Sequence, residues 1–135
     1  MDQHTILIVD NEKSVVNALK RVLWKEGYRI LTAHSGEEAL SKMETFDCQL
    51  VLADQRMPAM NGIELLTRIK EKFPNTIRVL ITAQINLDNF SKDFDQSCIY
   101  QCITKPWEPE ALKILVRKGL ERYNKLFKDK DQSGA

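Results

Sequence analysis

Short apolar runs alternate along this chain with longer stretches in which apolar residues recur every three or four positions. Thr5-Ile6-Leu7-Ile8-Val9 is the first run, and it ends in Asp10-Asn11-Glu12. A run of this kind, with no internal breaker, reads as a strand buried on both faces. Val15, Val16, Leu19, Val22 and Leu23 then mark one face of a helix. Gly27 ends it, as a glycine beyond the helix C-terminus does. Tyr28 to Thr32 is a second strand, more mixed and so nearer an edge. Ser35-Gly36-Glu37-Glu38 starts a second helix, with Ala39, Leu40 and Met43 as its buried face.

The stretch from Gln49 to Gly62 organises the rest. Leu50-Val51-Leu52-Ala53 predicts a third buried strand, which delivers a carboxylate, Asp54, at its end. A loop follows, punctuated by Pro58 and Gly62. Ile63, Leu66, Ile69 and Phe73 recur at helical spacing beyond it. Asp54 lies too far upstream to cap that helix, and Asn61 is the nearer candidate. Pro74-Asn75 breaks the chain, and Ile77 to Ile81 is a fourth apolar strand ending in Thr82.

Residues 86–97 differ. Leu87, Phe90 and Phe94 form a thin apolar stripe among Asn, Asp, Ser and Lys, several of them poor helix formers. The pattern predicts a fourth helix of low intrinsic stability. Ile99 to Thr104 is a fifth strand, followed by Lys105-Pro106-Trp107. A last helix runs from about Glu108, with Pro109 in its first turn. Leu112, Leu115, Val116, Leu120, Tyr123 and Phe127 form its stripe, and Gly119 inside it costs about 1 kcal/mol against Ala. Residues 1–127 are expected to form one domain, and 128–135 a polar tail or the start of a linker to an output domain.

Strands alternating with helices predict an α/β fold, a five-stranded parallel sheet covered on both faces. Right-handed crossovers and one reversal of direction give the strand order 2-1-3-4-5. The first and third strands are then neighbours, and Asp10 and Asp54 face each other across the crevice where such sheets bind ligands.

The length of 135 residues suits one domain, and 43% hydrophobic residues suffice for a core. Lys plus Arg is 20 and Asp plus Glu is 19, a net charge of +1, which argues against a dedicated nucleic-acid binder. Arg117, Lys118, Arg122, Lys125 and Lys128 read as a solvated face. No apolar run approaches the roughly 18 residues of a membrane span, and the first residues have no signal-peptide character. Cys48, Cys98 and Cys102 show no metal spacing and fit free thiols in a reducing cytoplasm.

Four chemical groups fall at strand ends: Asp10 with Asn11 and Glu12, then Asp54, Thr82 and Lys105. Clustered acids need a cation, and oxygen ligands with retained waters suit Mg²⁺. A hydroxyl and an ammonium opposite suit a phosphoryl group, since both donate to its oxygens. The residues point to Mg²⁺-assisted phosphoryl transfer to or from a carboxylate nucleophile.

At this point the sequence resembles a receiver domain of a two-component response regulator. The resemblance runs from Ile6-Leu7-Ile8-Val9-Asp10 through Asp54-x-x-Met57-Pro58-x-x-x-Gly62 and Ile81-Thr82-Ala83 to Lys105-Pro106-Trp107. It implies a flavodoxin-like three-layer sandwich and a cytoplasmic signalling switch that is not an enzyme. Asp54 would accept phosphate from a sensor histidine kinase, a phosphotransfer protein or a small phosphodonor. Mg²⁺ would be held by Asp10, Asn11, Asp54 and the main-chain carbonyl of Arg56. Lys105 would pair with Asp54 and then with the phosphoryl group, Thr82 would move to bond it, and the Lys105–Pro106 peptide is often cis in the family.

The departures from the pattern are as informative. Asn11 stands where the family usually has a second acid, so one charge is lost from the cation site. Arg56 adds a positive group at the mouth, with two opposed consequences: weaker cation binding, or help in holding the phosphoryl group. Glu12 either compensates or points to solvent. Cys102 occupies the position of a switch aromatic. Tyr100, two residues earlier, is expected on the same strand face.

Asn11 and Cys102 also fit a second reading, a pseudo-receiver acting as a phosphorylation-independent interaction module. Joint retention of Asp54, Thr82 and Lys105 counts against it. An aspartyl-phosphate phosphatase similar to the haloacid dehalogenases needs an acid two residues after the nucleophile, and Arg56 is there. A flavin site lacks its phosphate loop after the first strand. Ile81-Thr82-Ala83, Tyr100 and Ile103 to Trp107 look most like receivers attached to HD-type cyclic-dinucleotide phosphodiesterase output domains. The resemblance implies no direct nucleic-acid or membrane contact, and leaves room for a dimer through the fourth helix, fifth strand and last helix.

Overall fold

The computed structural model describes residues 3–83 and 98–128 of the chain. Five parallel strands form one sheet: β1 (Thr5–Val9), β2 (Arg29–Ala33), β3 (Leu50–Asp54), β4 (Ile77–Thr82) and β5 (Gln101–Thr104). Their order is β2-β1-β3-β4-β5, as the crossover argument requires. The described helices are α1 (Lys13–Trp24), α2 (Gly36–Thr45), α3 (Gly62–Lys72) and α4 (Pro109–Tyr123). A five-residue π-helical turn, Asn124–Lys128, continues α4. The helix expected over residues 86–97 lies outside the described residues.

Successive strand residues point to opposite faces of the sheet. Ile6, Ile8, Leu50, Leu52, Val79 and Ile81 therefore pack on one side, against Val16, Leu19 and Leu23 of α1 and Leu112, Val116 and Leu120 of α4. Leu7, Val9, Val51, Ala53 and Leu80 pack on the other, against Ala39 and Met43 of α2 and Leu65, Leu66 and Ile69 of α3. Both faces of β1 and β3 are buried throughout, which is why those runs carry no polar alternation. β2 is an edge strand with only Ala33 buried, in keeping with its mixed sequence.

Local signals account for the helix ends. Asn61 accepts from the Glu64 amide at 2.8 Å while the Glu64 carboxylate reaches back to the Asn61 amide, a capping box. Ser35 caps α2 through the Glu38 amide at 3.1 Å. Gly27, at φ +88°, turns the chain after α1. On α3 the expected stripe is displaced. Leu65 joins Leu66 and Ile69 in the core, while Ile63 and Phe73 are half-buried at its ends.

Two expectations are corrected. β5 begins at Gln101 rather than Ile99, and a bend at Tyr100 precedes it. Alternation is reset there, so Tyr100 packs in the layer of α1 and α4 while Cys102 packs in the layer of α2 and α3. The two residues do not share a face. Gly119, charged above as a helix defect, has a packing role. A Cβ there would lie 3.0 Å from Leu50 Cδ1 and 3.4 Å from Ile77 Cγ2, so its absence lets α4 approach the sheet.

Candidate functional site

The strand order brings the carboxyl ends of β1, β3, β4 and β5 to one rim, and the chemistry collects there. Asp10 follows β1 and Asp54 closes β3; both are almost fully buried. Lys105 follows β5 and extends over them. Its Nζ lies 2.5 Å from Asp54 Oδ1 and 3.9 Å from Asp10 Oδ2. One ammonium thus faces two buried carboxylates. The Lys105 main chain is fixed by donating to the Thr82 carbonyl at 2.9 Å, and the Lys105–Pro106 peptide is cis. Thr82 is buried at the end of β4, in register with Thr104.

Asp10 is the strained member of the group. Its Oδ1 accepts from the Glu12 amide at 2.9 Å. Its Oδ2 is buried with no hydrogen-bond partner among the described residues. Burial raises its pKa above the usual carboxylate value, and the neighbouring Asp54 charge adds to this; the Glu12 amide and Lys105 oppose it. A buried, unsatisfied carboxylate oxygen beside a second carboxylate is a place where a cation lowers the free energy. No cage of three or more His, Cys, Asp or Glu side chains occurs among the described residues. The donor set therefore suits a hard ion that keeps most of its water, as Mg²⁺ does, rather than a structural metal.

Asn11 and Arg56 are both exposed at the rim. Three further residues shape the site: Gly62, already marked by its spacing from Asp54, and Gln55 and His34, which composition and spacing did not show. Gln55 turns its side chain inward, and its Oε1 accepts from the Ile63 amide at 2.9 Å. Gly62 presses on the site itself. A Cβ there would fall 2.6 Å from the Asp54 carbonyl oxygen and 2.7 Å from Leu80 Cδ1. His34, at the end of β2, sets Nδ1 3.4 Å from the Asp10 carbonyl oxygen. The signal for His34 was the strand order, which places the β2 end beside the β1 end.

These strand ends are the diagnostic feature of one family, and its model, the response regulator receiver domain, matches residues 6–117. The chain belongs to the response regulator receiver family. The hydrogenase transcriptional regulatory protein HoxA of Cupriavidus necator is 35% identical over 119 residues, which cover 88% of this chain. The chain spans only 24% of the length of that relative. The receiver domain of an HD domain-containing protein from Pseudomonas fluorescens superposes with a TM-score of 0.85 at 28% identity, over 92% of this chain and 99% of that one. The response regulator TrrA of Thermotoga maritima, solved with Mg²⁺ and BeF, gives 0.78 at 32% identity, over 87% and 99% of the two chains. Receivers are signalling modules, and the five-stranded order seen here is theirs. No helix among the described residues is long and apolar enough to cross a membrane.

Proposed function

We propose that this receiver is a phosphorylation-controlled switch in which Asp54 accepts a phosphoryl group from the phosphohistidine of a sensor kinase or phosphotransfer protein. One observation carries the reading: the buried Asp54 carboxylate has the Lys105 ammonium 2.5 Å away, with Asp10 completing the cluster.

An Asp54 oxygen attacks phosphorus. The P–N bond breaks, and the imidazole nitrogen leaves with the bonding pair, to be protonated by solvent. Lys105 exchanges its partner, from the free carboxylate to the phosphoryl oxygens. The Thr82 hydroxyl moves to another of those oxygens and carries the change toward the outer face. Asp10, Asp54 and the Arg56 carbonyl would hold Mg²⁺, with Asn11 contributing an uncharged oxygen. When bound, the ion offsets negative charge on the phosphoryl oxygens during transfer. Asp10 Oδ2, buried with no hydrogen-bond partner among the described residues and only the distant Lys105 ammonium facing it, supports that assignment.

Incubation with acetyl phosphate and Mg²⁺ tests the reading. Intact mass should rise by one phosphoryl group, and Asp54→Asn should not shift. No adduct at any Mg²⁺ concentration would leave the second reading, a phosphorylation-independent interaction module, which the exposed Asn11 favours. In the leading reading residues 1–127 are the switch, and 128–135 a tail or linker toward an output domain. The HD-containing Pseudomonas neighbour supports an HD-type phosphodiesterase output, and HoxA a transcriptional one.

A further inference from the structure

A second feature lies at the other end of the sheet from Asp54. The turn after α3, the start of β4, the bend at Tyr100 and the end of the last helix enclose a cavity of about 450 Å³. Two guanidinium groups line it, Arg78 and Arg122, and no Asp or Glu among the described residues does.

Arg78 is half-buried. Its Nε donates to the Cys98 carbonyl at 2.8 Å, and its Nη1 donates to the Pro74 and Thr76 carbonyls at 3.1 and 3.2 Å. These bonds hold the fork in place but bring no negative charge. No carboxylate among the described residues pairs with it. Burial pushes its pKa down, yet a guanidinium remains charged at any relevant pH. Charges withdrawn from water are normally met by an opposite charge. The other charged group lining the cavity among the described residues is a second cation: Arg122, stacked 5.8 Å above the Tyr100 ring.

We propose that this cavity binds a phosphate monoester carried on a small apolar or aromatic body. Two guanidiniums match a group that carries up to two negative charges: Arg78 has Nη2 left to donate to a phosphate oxygen, and the planar fork of Arg122 suits the others. The remaining wall, with Ile99, Tyr100, Leu126 and Phe127, suits an apolar body. The volume falls within the range of small-molecule sites. The site is independent of phosphorylation at Asp54, and its ligand would bridge the turn before β4 to the end of the last helix.

Phenyl phosphate is the probe, titrated in EDTA so that no Mg²⁺ supports the Asp54 site. Amide chemical shifts should move in residues 75–78, 99–100 and 122–127. Arg122→Gln should weaken binding about tenfold, the loss typical of one charge-assisted contact. Arg78→Lys, which keeps the charge but loses the anchoring to the Cys98, Pro74 and Thr76 carbonyls and the Nη2 donor, should weaken it as well. If Arg78→Lys does not fold, Arg122→Gln decides alone. Unchanged binding in Arg122→Gln, shifts confined to the Asp54 rim, or equal binding of phenol would each overturn the proposal. Benzoate binding as tightly as phenyl phosphate would overturn the choice of a phosphate. Inorganic phosphate binding as tightly would overturn the apolar body.

Discussion

Lys105 Nζ stands 2.5 Å from Asp54 Oδ1, so the side chain read as phosphoacceptor already has an internal cation against it. Removing that cation leaves two buried carboxylates facing each other. Lys105→Met should destabilise the fold at neutral pH by about 1–2 kcal/mol in urea denaturation. That is less than the roughly 3–5 of a fully buried broken pair, because the lysine is partly exposed. Added Mg²⁺ should restore most of the loss. A variant as stable as wild type would show that Lys105 contributes nothing to holding the two acids together.

Asp10 works against folding. Its pKa is raised above 3.8, chiefly by burial, so its ionised form is less favourable in the folded chain than in the unfolded one. The cost is fully present above the folded pKa and fades as pH falls toward the unfolded value. Asp10→Asn should therefore raise the urea midpoint at pH 7 in EDTA, with the gain shrinking as pH drops toward 4. A gain that is constant with pH would assign the effect to packing instead of charge.

Asn11→Asp should tighten Mg²⁺ binding. A unit charge close to a cation is worth about 4 kcal/mol at an effective dielectric near 20 before desolvation. Position 11 is exposed, so solvent screens most of this, leaving a gain of roughly three- to tenfold. Trp107, two residues from Lys105, reports the titration in a Trp24→Phe background that removes the other indole. Equal or weaker affinity would mean that the added carboxylate never reaches the ion.

The close-packed glycines give opposite expectations from helix propensity. Gly62→Ala drives a Cβ to 2.6 Å from a backbone oxygen and should cost about 1–3 kcal/mol, while also lowering the yield of phosphoprotein. Gly119→Ala gains about 1 kcal/mol of propensity but meets Leu50 at 3.0 Å, so thermal denaturation should show no net stabilisation. A clear rise in melting temperature would mean that Leu50 yields easily.

β1 and β3 were legible because uninterrupted runs such as Ile6 to Val9 suit a strand covered on both faces, and the strand order followed from the crossover rules. Asp10 and Asp54 were legible because each ends such a run, and Thr82 and Lys105 because each ends a more mixed strand. The side of the sheet that Tyr100 takes was not, since one bend before β5 resets a period-two count. The value of Gly119 depends on how near α4 lies to Leu50, a distance that no single helix encodes. Gln55, His34 and Arg78 acquire their roles from neighbours in space.

The segment leaving Asp54 closes upon itself. The Gly62 amide donates to the Gln55 carbonyl at 3.1 Å, the Ile63 amide to the Gln55 side chain, and Gly62 rests against the Asp54 carbonyl. The two ends of the connection are thus fastened to one another, leaving residues 56–61 as a closed ring with no slack. An added or deleted residue there cannot be absorbed by sliding α3 along the sheet. Length variation would have to bulge outward at Pro58 and Ala59, both exposed, so that is where an inserted tag or epitope should leave the acid's geometry untouched.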